Sequence, residues 1–99
     1  MKYTLVRELE LSNYVERMKE LVVEADAMIK LPVKCRGCNE TYEVALFDRE
    51  IETLEDKVIH EVHILDSHSN KEYVYVVEAE PELTPEEVLA KLAEELYPG

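Results

Sequence analysis

Apolar and polar residues alternate at the start of the chain. Tyr3, Leu5, Leu9 and Leu11 interleave with Thr4, Val6, Glu8 and Glu10, and only Arg7 interrupts the apolar side. Period two is the mark of a strand with one face buried. After Ser12-Asn13 the period changes. Tyr14, Val15, Met18, Leu21, Val22, Ala25, Met28 and Ile29 recur at helical spacing, while Glu16, Arg17, Lys19, Glu20 and Glu24 make a wet face. Asn13 with Glu16 has the form of a capping box. Leu31-Pro32 is the expected end of this helix, because proline disfavours α geometry in the residue before it. Tyr42, Val44 and Leu46 alternate with Glu43, Ala45 and Phe47, which predicts a strand from about Thr41 to Asp48.

The segment from Arg49 to Asp66 supports two readings. Ile51, Leu54, Val58, Val62 and Leu65 fit a helical stripe, whereas Val58, His60, Val62 and Ile64 fit a strand face. The β-branched residues from Val58 onward favour a strand there, after a helical turn or short strand at Glu50–Glu55. Asp66-Ser67-His68-Ser69-Asn70 is a run of turn formers, and Tyr73-Val74-Tyr75-Val76-Val77 is the strongest strand pattern in the chain. A hairpin of Val58–Leu65 against Glu72–Glu80 follows. Thr84-Pro85-Glu86-Glu87 then reads as a helix start, with Val88, Leu89, Leu92, Ala93, Leu96 and Tyr97 as its apolar stripe.

Together these elements predict one α+β domain over residues 1–99. A small antiparallel sheet of about four strands carries two amphipathic helices, one after the first strand and one C-terminal. The runner-up makes Glu50–Leu65 a helix and gives a βαβαβα sandwich.

Composition narrows the function classes. Hydrophobic residues are 46% and charged residues 34% of the chain, and the net charge is −12. That charge is uneven: residues 1–49 hold nine acids and eight bases, and residues 50–99 hold fourteen acids and three bases. A field of this sign repels phosphate backbones, so direct nucleic-acid binding is not expected. No apolar run reaches the ~18–20 residues of a membrane span. The first residues are charged and do not resemble a secretory signal, so the expected location is cytoplasmic. Glutamine and tryptophan are absent, and Glu, Val, Leu, Lys and Tyr are plentiful. This texture resembles the small orphan proteins of hyperthermophilic archaea or their filamentous viruses. The resemblance implies thermostability, host cytoplasm or virion as the location, and a compartment that tolerates disulfides.

Chemistry concentrates in Lys34-Cys35-Arg36-Gly37-Cys38-Asn39, which holds both cysteines. Cys35-x-x-Cys38 before a strand looks like half of a zinc ribbon, with Gly37 and Asn39 suited to positive φ. The available nitrogen donors are His60, His63 and His68, so the candidate zinc ligands are Cys35, Cys38, His60, His63 and His68. On a strand, His60 and His63 point to opposite faces and cannot share one ion, while either could pair with His68 from the turn. On a helix they would share a face, and a Cys₄ site across a dimer axis is a further option. A redox CxxC would open a helix, and here a strand pattern follows. Two thiols in a tight turn, or a disulfide closing a short loop, are the plainer readings.

No nucleophile elbow and no glycine-rich phosphate loop occurs, so no catalytic residue is assigned and an enzyme is not expected. The expected function is that of a small, acidic, thermostable interaction or structural protein, acting through contacts with a protein partner or with itself as a homodimer; the apolar Tyr73–Val77 ribbon, the acidic second half and the absence of chemistry motivate it. Zinc is the cofactor only of the alternative built on the CxxC. A third reading is an acidic nucleic-acid mimic that binds a basic host protein.

Overall fold

The computed structural model describes residues 1–98. Five strands, β1 (Lys2–Glu10), β2 (Ala27–Lys34), β3 (Thr41–Thr53), β4 (Val58–Asp66) and β5 (Lys71–Ala79), form one antiparallel sheet in the order β1-β5-β4-β3-β2. Helix α1 (Tyr14–Glu24) joins one edge strand to the other, and helix α2 (Pro85–Leu96) follows β5. The α+β class and the placement of both helices are as the sequence predicts. Among the described residues, no helix is long and apolar enough to cross a membrane.

The two helices lie on opposite faces of the sheet. Alternation along β3 and β4 sends Val44, Leu46, Val62 and Ile64 to one face, where they meet Val88, Leu89, Leu92 and Ala93 of α2. All four α2 side chains are buried, and burial of each Val or Leu contributes about 1.5–3 kcal/mol. Thr84 starts α2 with a complete capping box: the Glu87 amide donates to Thr84 Oγ1 at 3.1 Å, and the Thr84 amide donates to Glu87 Oε1 at 2.9 Å. On the other face, Leu11, Ala45, Phe47 and Leu65 make a smaller cluster under half-buried Tyr14, Met18, Leu21 and Ala25. No residue of α1 is fully buried. Asn13 caps it in one direction, its side-chain oxygen accepting from the Glu16 amide at 3.1 Å.

A chain of charges adds to the apolar contacts of α1. Arg17 donates from Nε and Nη2 to the two oxygens of Glu72 on β5, at 2.6 and 3.0 Å. His63 Nδ1 faces the same carboxylate at 2.6 Å, and its Nε2 faces Glu61 at 2.8 Å. Both ring nitrogens meet carboxylates, so the ring is best satisfied as an imidazolium. Burial opposes that charge, but the two hydrogen bonds outweigh it and raise the His63 pKa. Burial likewise opposes the charge on Glu72, yet His63 and Arg17 hold its pKa down to about 2.

Two β-bulges depart from simple alternation. In β1 the register slips between Leu5 and Arg7, leaving Val6 unpaired. Leu5 therefore pairs with Tyr75 on the α2 side, whereas Leu9 pairs with Glu72 on the α1 side. The interruption at Arg7 is this bulge, and it lets one strand contribute to both layers. A second slip, between Glu50 and Glu52, leaves Ile51 unpaired in β3.

Three expectations are corrected. The helix does not run to Leu31: α1 stops at Glu24, and Ala27–Lys34 is strand β2. The Asp26 amide donates to the Asp48 carbonyl at 2.7 Å and its carboxylate accepts from the Glu50 amide at 2.8 Å, which fastens the chain to β3 there. Pro32 is tolerated because β2 is an edge strand and needs no outward donor. The sheet accordingly has five strands, not about four. Residues 50–53 continue β3, and Leu54–Lys57 makes the turn into β4, the Leu54 amide donating to the Lys57 carbonyl at 2.8 Å. A helix over Glu50–Leu65 is therefore excluded. Strand β5 is paired on both sides, and the open edges of the sheet belong to β1 and β2.

Candidate functional site

The CRGC stretch is the turn between β2 and β3. The strand ladder runs up to Lys34 opposite Thr41, and the Cys35 amide donates to the Glu40 carbonyl at 2.7 Å. Within this closed turn Cys35 and Cys38 form a disulfide. Asn39 takes the left-handed conformation, with φ 57°, that lets the chain re-enter β3. Gly37 does not share that duty. Its φ is not positive, and an added Cβ would meet nothing within 4 Å.

A second turn, between β4 and β5, brings His68 to the same end of the sheet. Asp66 Oδ1 accepts from the amides of His68 and Ser69 at 2.9 and 3.0 Å. Ser67 links the turn to β3, its hydroxyl donating to the Glu43 carbonyl at 2.6 Å and accepting from the Glu43 amide at 3.1 Å. Asn70, left-handed at φ 59°, is tied to the end of β1, its side-chain amide donating to the Leu11 carbonyl at 3.1 Å. So anchored, the His68 ring stacks on Tyr42 with centroids 4.7 Å apart, and its Nε2 lies 3.8 Å from Cys35 Sγ. Sγ of Cys35, Sγ of Cys38 and a ring nitrogen of His68 all lie within 4.8 Å of one another.

The end of α2 closes the third side. Leu96, Tyr97 and Pro98 face the CRGC turn across an open cleft of about 900 Å³, whose lining also includes Lys34, Arg36, Tyr42 and His68. Its described lining contains no carboxylate side chain, and among the described residues neither Lys34 nor Arg36 enters an ion pair. Burial, then the charge of nearby Asp66, raises the pKa of both Tyr42 and Tyr97, so both phenols stay neutral donors. In a chain of net charge −12, the described lining of this cleft is positive and aromatic.

The five sequence-predicted ligands separate into one group and two outliers. Cys35, Cys38 and His68 come together; His60 and His63 do not join them. His60 is fully buried on the α2 face, its Nδ1 2.9 Å from Asp48 Oδ1, and its Nε2 has no partner among the described residues. Burial pushes Asp48 up to about 6, against the hydrogen bond with His60 that favours its charge. His63 lies on the α1 face, where both nitrogens are held by Glu61 and Glu72. With β4 a strand, these two rings point to opposite faces, and neither approaches the sulfurs. Sequence reasoning missed Tyr42 and Tyr97 as walls of the cleft, placing the first in a strand alternation and the second in the apolar stripe of α2. Positions 42, 68 and 97 meet only through the folded sheet, and no local pattern announces that. Comparison with protein-family models, curated proteins and solved structures finds none that matches this chain.

Proposed function

We propose that this protein is a non-catalytic interaction module, and that the cleft between the CRGC turn, the His68 turn and the end of α2 binds an acidic segment of a partner protein. The observation that carries this reading is the contrast of charge. Among the described residues, Lys34 and Arg36 enter no ion pair, and they stand beside aromatic walls in a cleft with no carboxylate side chain in its described lining, on a molecule otherwise dense in Asp and Glu. Arginine and aromatic side chains are the anchors that protein interfaces favour, and a local positive potential steers an acidic partner into register. A volume near 900 Å³ suits a few side chains of an extended segment. The histidines support binding over catalysis. His60 is shut in the core with Asp48 and His63 is engaged on both nitrogens, which leaves His68 as the ring at the cleft.

Fluorescence anisotropy with labelled peptides, one set acidic and one neutral with the same aromatic content, tests the reading. Acidic peptides should bind with an affinity that falls as salt rises, and the Lys34→Glu/Arg36→Glu double variant should lose at least tenfold. Equal binding of both sets, or no binding of either at low salt, defeats it.

A further inference from the structure

The CRGC turn contains a disulfide that contributes little to the fold. It spans a sequence separation of three, inside a turn already closed by the β2–β3 ladder and by the Cys35 amide to the Glu40 carbonyl. Cross-links stabilise mainly by restricting the unfolded chain, and the shortest loops gain least. The one aromatic nitrogen near this turn is also not needed for packing. His68 is exposed, yet its ring is stacked on Tyr42 and its backbone is fixed by Asp66, so Nε2 is held 3.8 Å from Cys35 Sγ.

That spacing has a chemical meaning. A tetrahedral zinc ion with Zn–S of about 2.3 Å and Zn–N of about 2.0–2.1 Å separates a thiolate from an imidazole nitrogen by roughly 3.6 Å, and two thiolates by roughly 3.8 Å. The Cys35–His68 edge is thus already at ligand separation, with the third donor, Cys38 Sγ, within 4.8 Å of both. Only the covalent bond between the sulfurs stands in the way.

We propose that the Cys35–Cys38 disulfide is the oxidised form of a divalent-metal site, and that reduction converts the turn into a three-ligand Cys₂His centre for zinc. Two equivalents of a small-molecule thiol, or one dithiol, deliver two electrons to the disulfide. They leave two cysteine thiols and an oxidised reductant disulfide. Zinc then binds both thiolates and His68 Nε2, releasing the two thiol protons, and the sulfurs move apart by rotation of their side chains in the exposed turn. Thiolate and imidazole donors select a borderline-soft ion of this kind over magnesium or calcium. Three protein ligands leave a fourth position for water or a partner's donor. Binding is exclusive: the turn holds either the disulfide or the ion. The proposal does not rest on the acidic-segment reading, since its probe is the metal alone.

Cobalt(II) reports the geometry directly. Reduced protein titrated with cobalt(II) should develop sulfur-to-cobalt charge-transfer absorption and tetrahedral d–d bands that saturate at one equivalent and are bleached by zinc. Oxidised protein should develop neither. His68→Ala should weaken binding at least tenfold, and His68→Cys should restore it with stronger charge transfer, each with an unchanged circular dichroism spectrum. A second measurement needs no variant: in reduced wild-type protein, one equivalent of zinc should protect both thiols from alkylation. Absence of cobalt bands after reduction, or a His68→Ala titration identical to wild type, overturns the site.

Discussion

The two faces of the sheet are built on different physics. Beneath α2, four buried helix residues interlock with Val44, Leu46, Val62, Ile64 and Val77, and the interface is apolar apart from the enclosed His60–Asp48 pair. Beneath α1 no helix residue is fully buried, and a half-buried apolar cluster is joined by the Arg17–Glu72–His63–Glu61 chain of charges. Apolar burial scales with area and is nearly indifferent to pH, whereas a charge chain acts only while its members hold their protons in the right places. One helix therefore rests mainly on apolar burial, and the other also on charges that must hold their protons.

The largest effect expected from this contrast is in the cores. Leu92→Ala should cost about 3 kcal/mol, the transfer term plus a cavity. Leu21→Ala on α1 should cost about 1 kcal/mol, because that side chain is only half removed from water. Denaturant unfolding of the two variants checks this, and similar losses would erase the distinction between the faces.

Next in size is the pH profile, with Glu72→Gln as its probe. Glu72 has its pKa lowered from 4.5 to about 2, so its contribution is complete above about 4.5 and is lost as pH falls toward 2. His63 is raised above 6.5, so its contribution is complete below about 6.5 and is lost as pH rises through its folded value. Asp48 is raised from 3.8 to about 6, so its burial penalty is present above about 6 and is relieved as pH falls toward 3.8. All three place the stability maximum on the acid side of neutrality, between about pH 4.5 and 6. Glu72→Gln should lose about 2 kcal/mol in that window and flatten the fall below it. Thermal melts across pH 2–8 decide, and a wild-type optimum above pH 7, or an unchanged profile in the variant, contradicts the account.

The smallest expected difference concerns the caps. Thr84→Ala breaks a reciprocal pair of hydrogen bonds and should cost about 1 kcal/mol, whereas Asn13→Ala removes one and should cost about 0.5 kcal/mol. Reversal of that order in denaturant midpoints would mean that the α1 terminus is better secured than its packing suggests.

Much of the fold was legible because local signals agreed with the tertiary outcome. Thr84-Pro85-Glu86-Glu87 marked the start of α2 to the residue, and the Asp66–Asn70 turn formers placed the β4–β5 hairpin. Strand β2 was illegible for a definable reason. Met28 and Ile29 continue the helical stripe of α1, and the signal against helix is the pairing of Asp26 with β3, a contact that local periodicity cannot register. The site divided in the same way. The CxxC and the turn histidine were visible as residue types, but the choice of His68 over His60 and His63 follows from strand register, and the cleft walls come from Tyr42 and Tyr97, which lie 55 positions apart in the chain.

The unpaired residue of β1 has a consequence for how sequence can vary here. Val6 leaves its side chain largely in solvent, so its chemical identity is close to free. Its presence is not. It offsets the alternation by one place, and that offset is why Leu9 and Leu11 turn toward α1 after Tyr3 and Leu5 have turned toward α2. The position is read by counting, and it should tolerate nearly any substitution and no deletion.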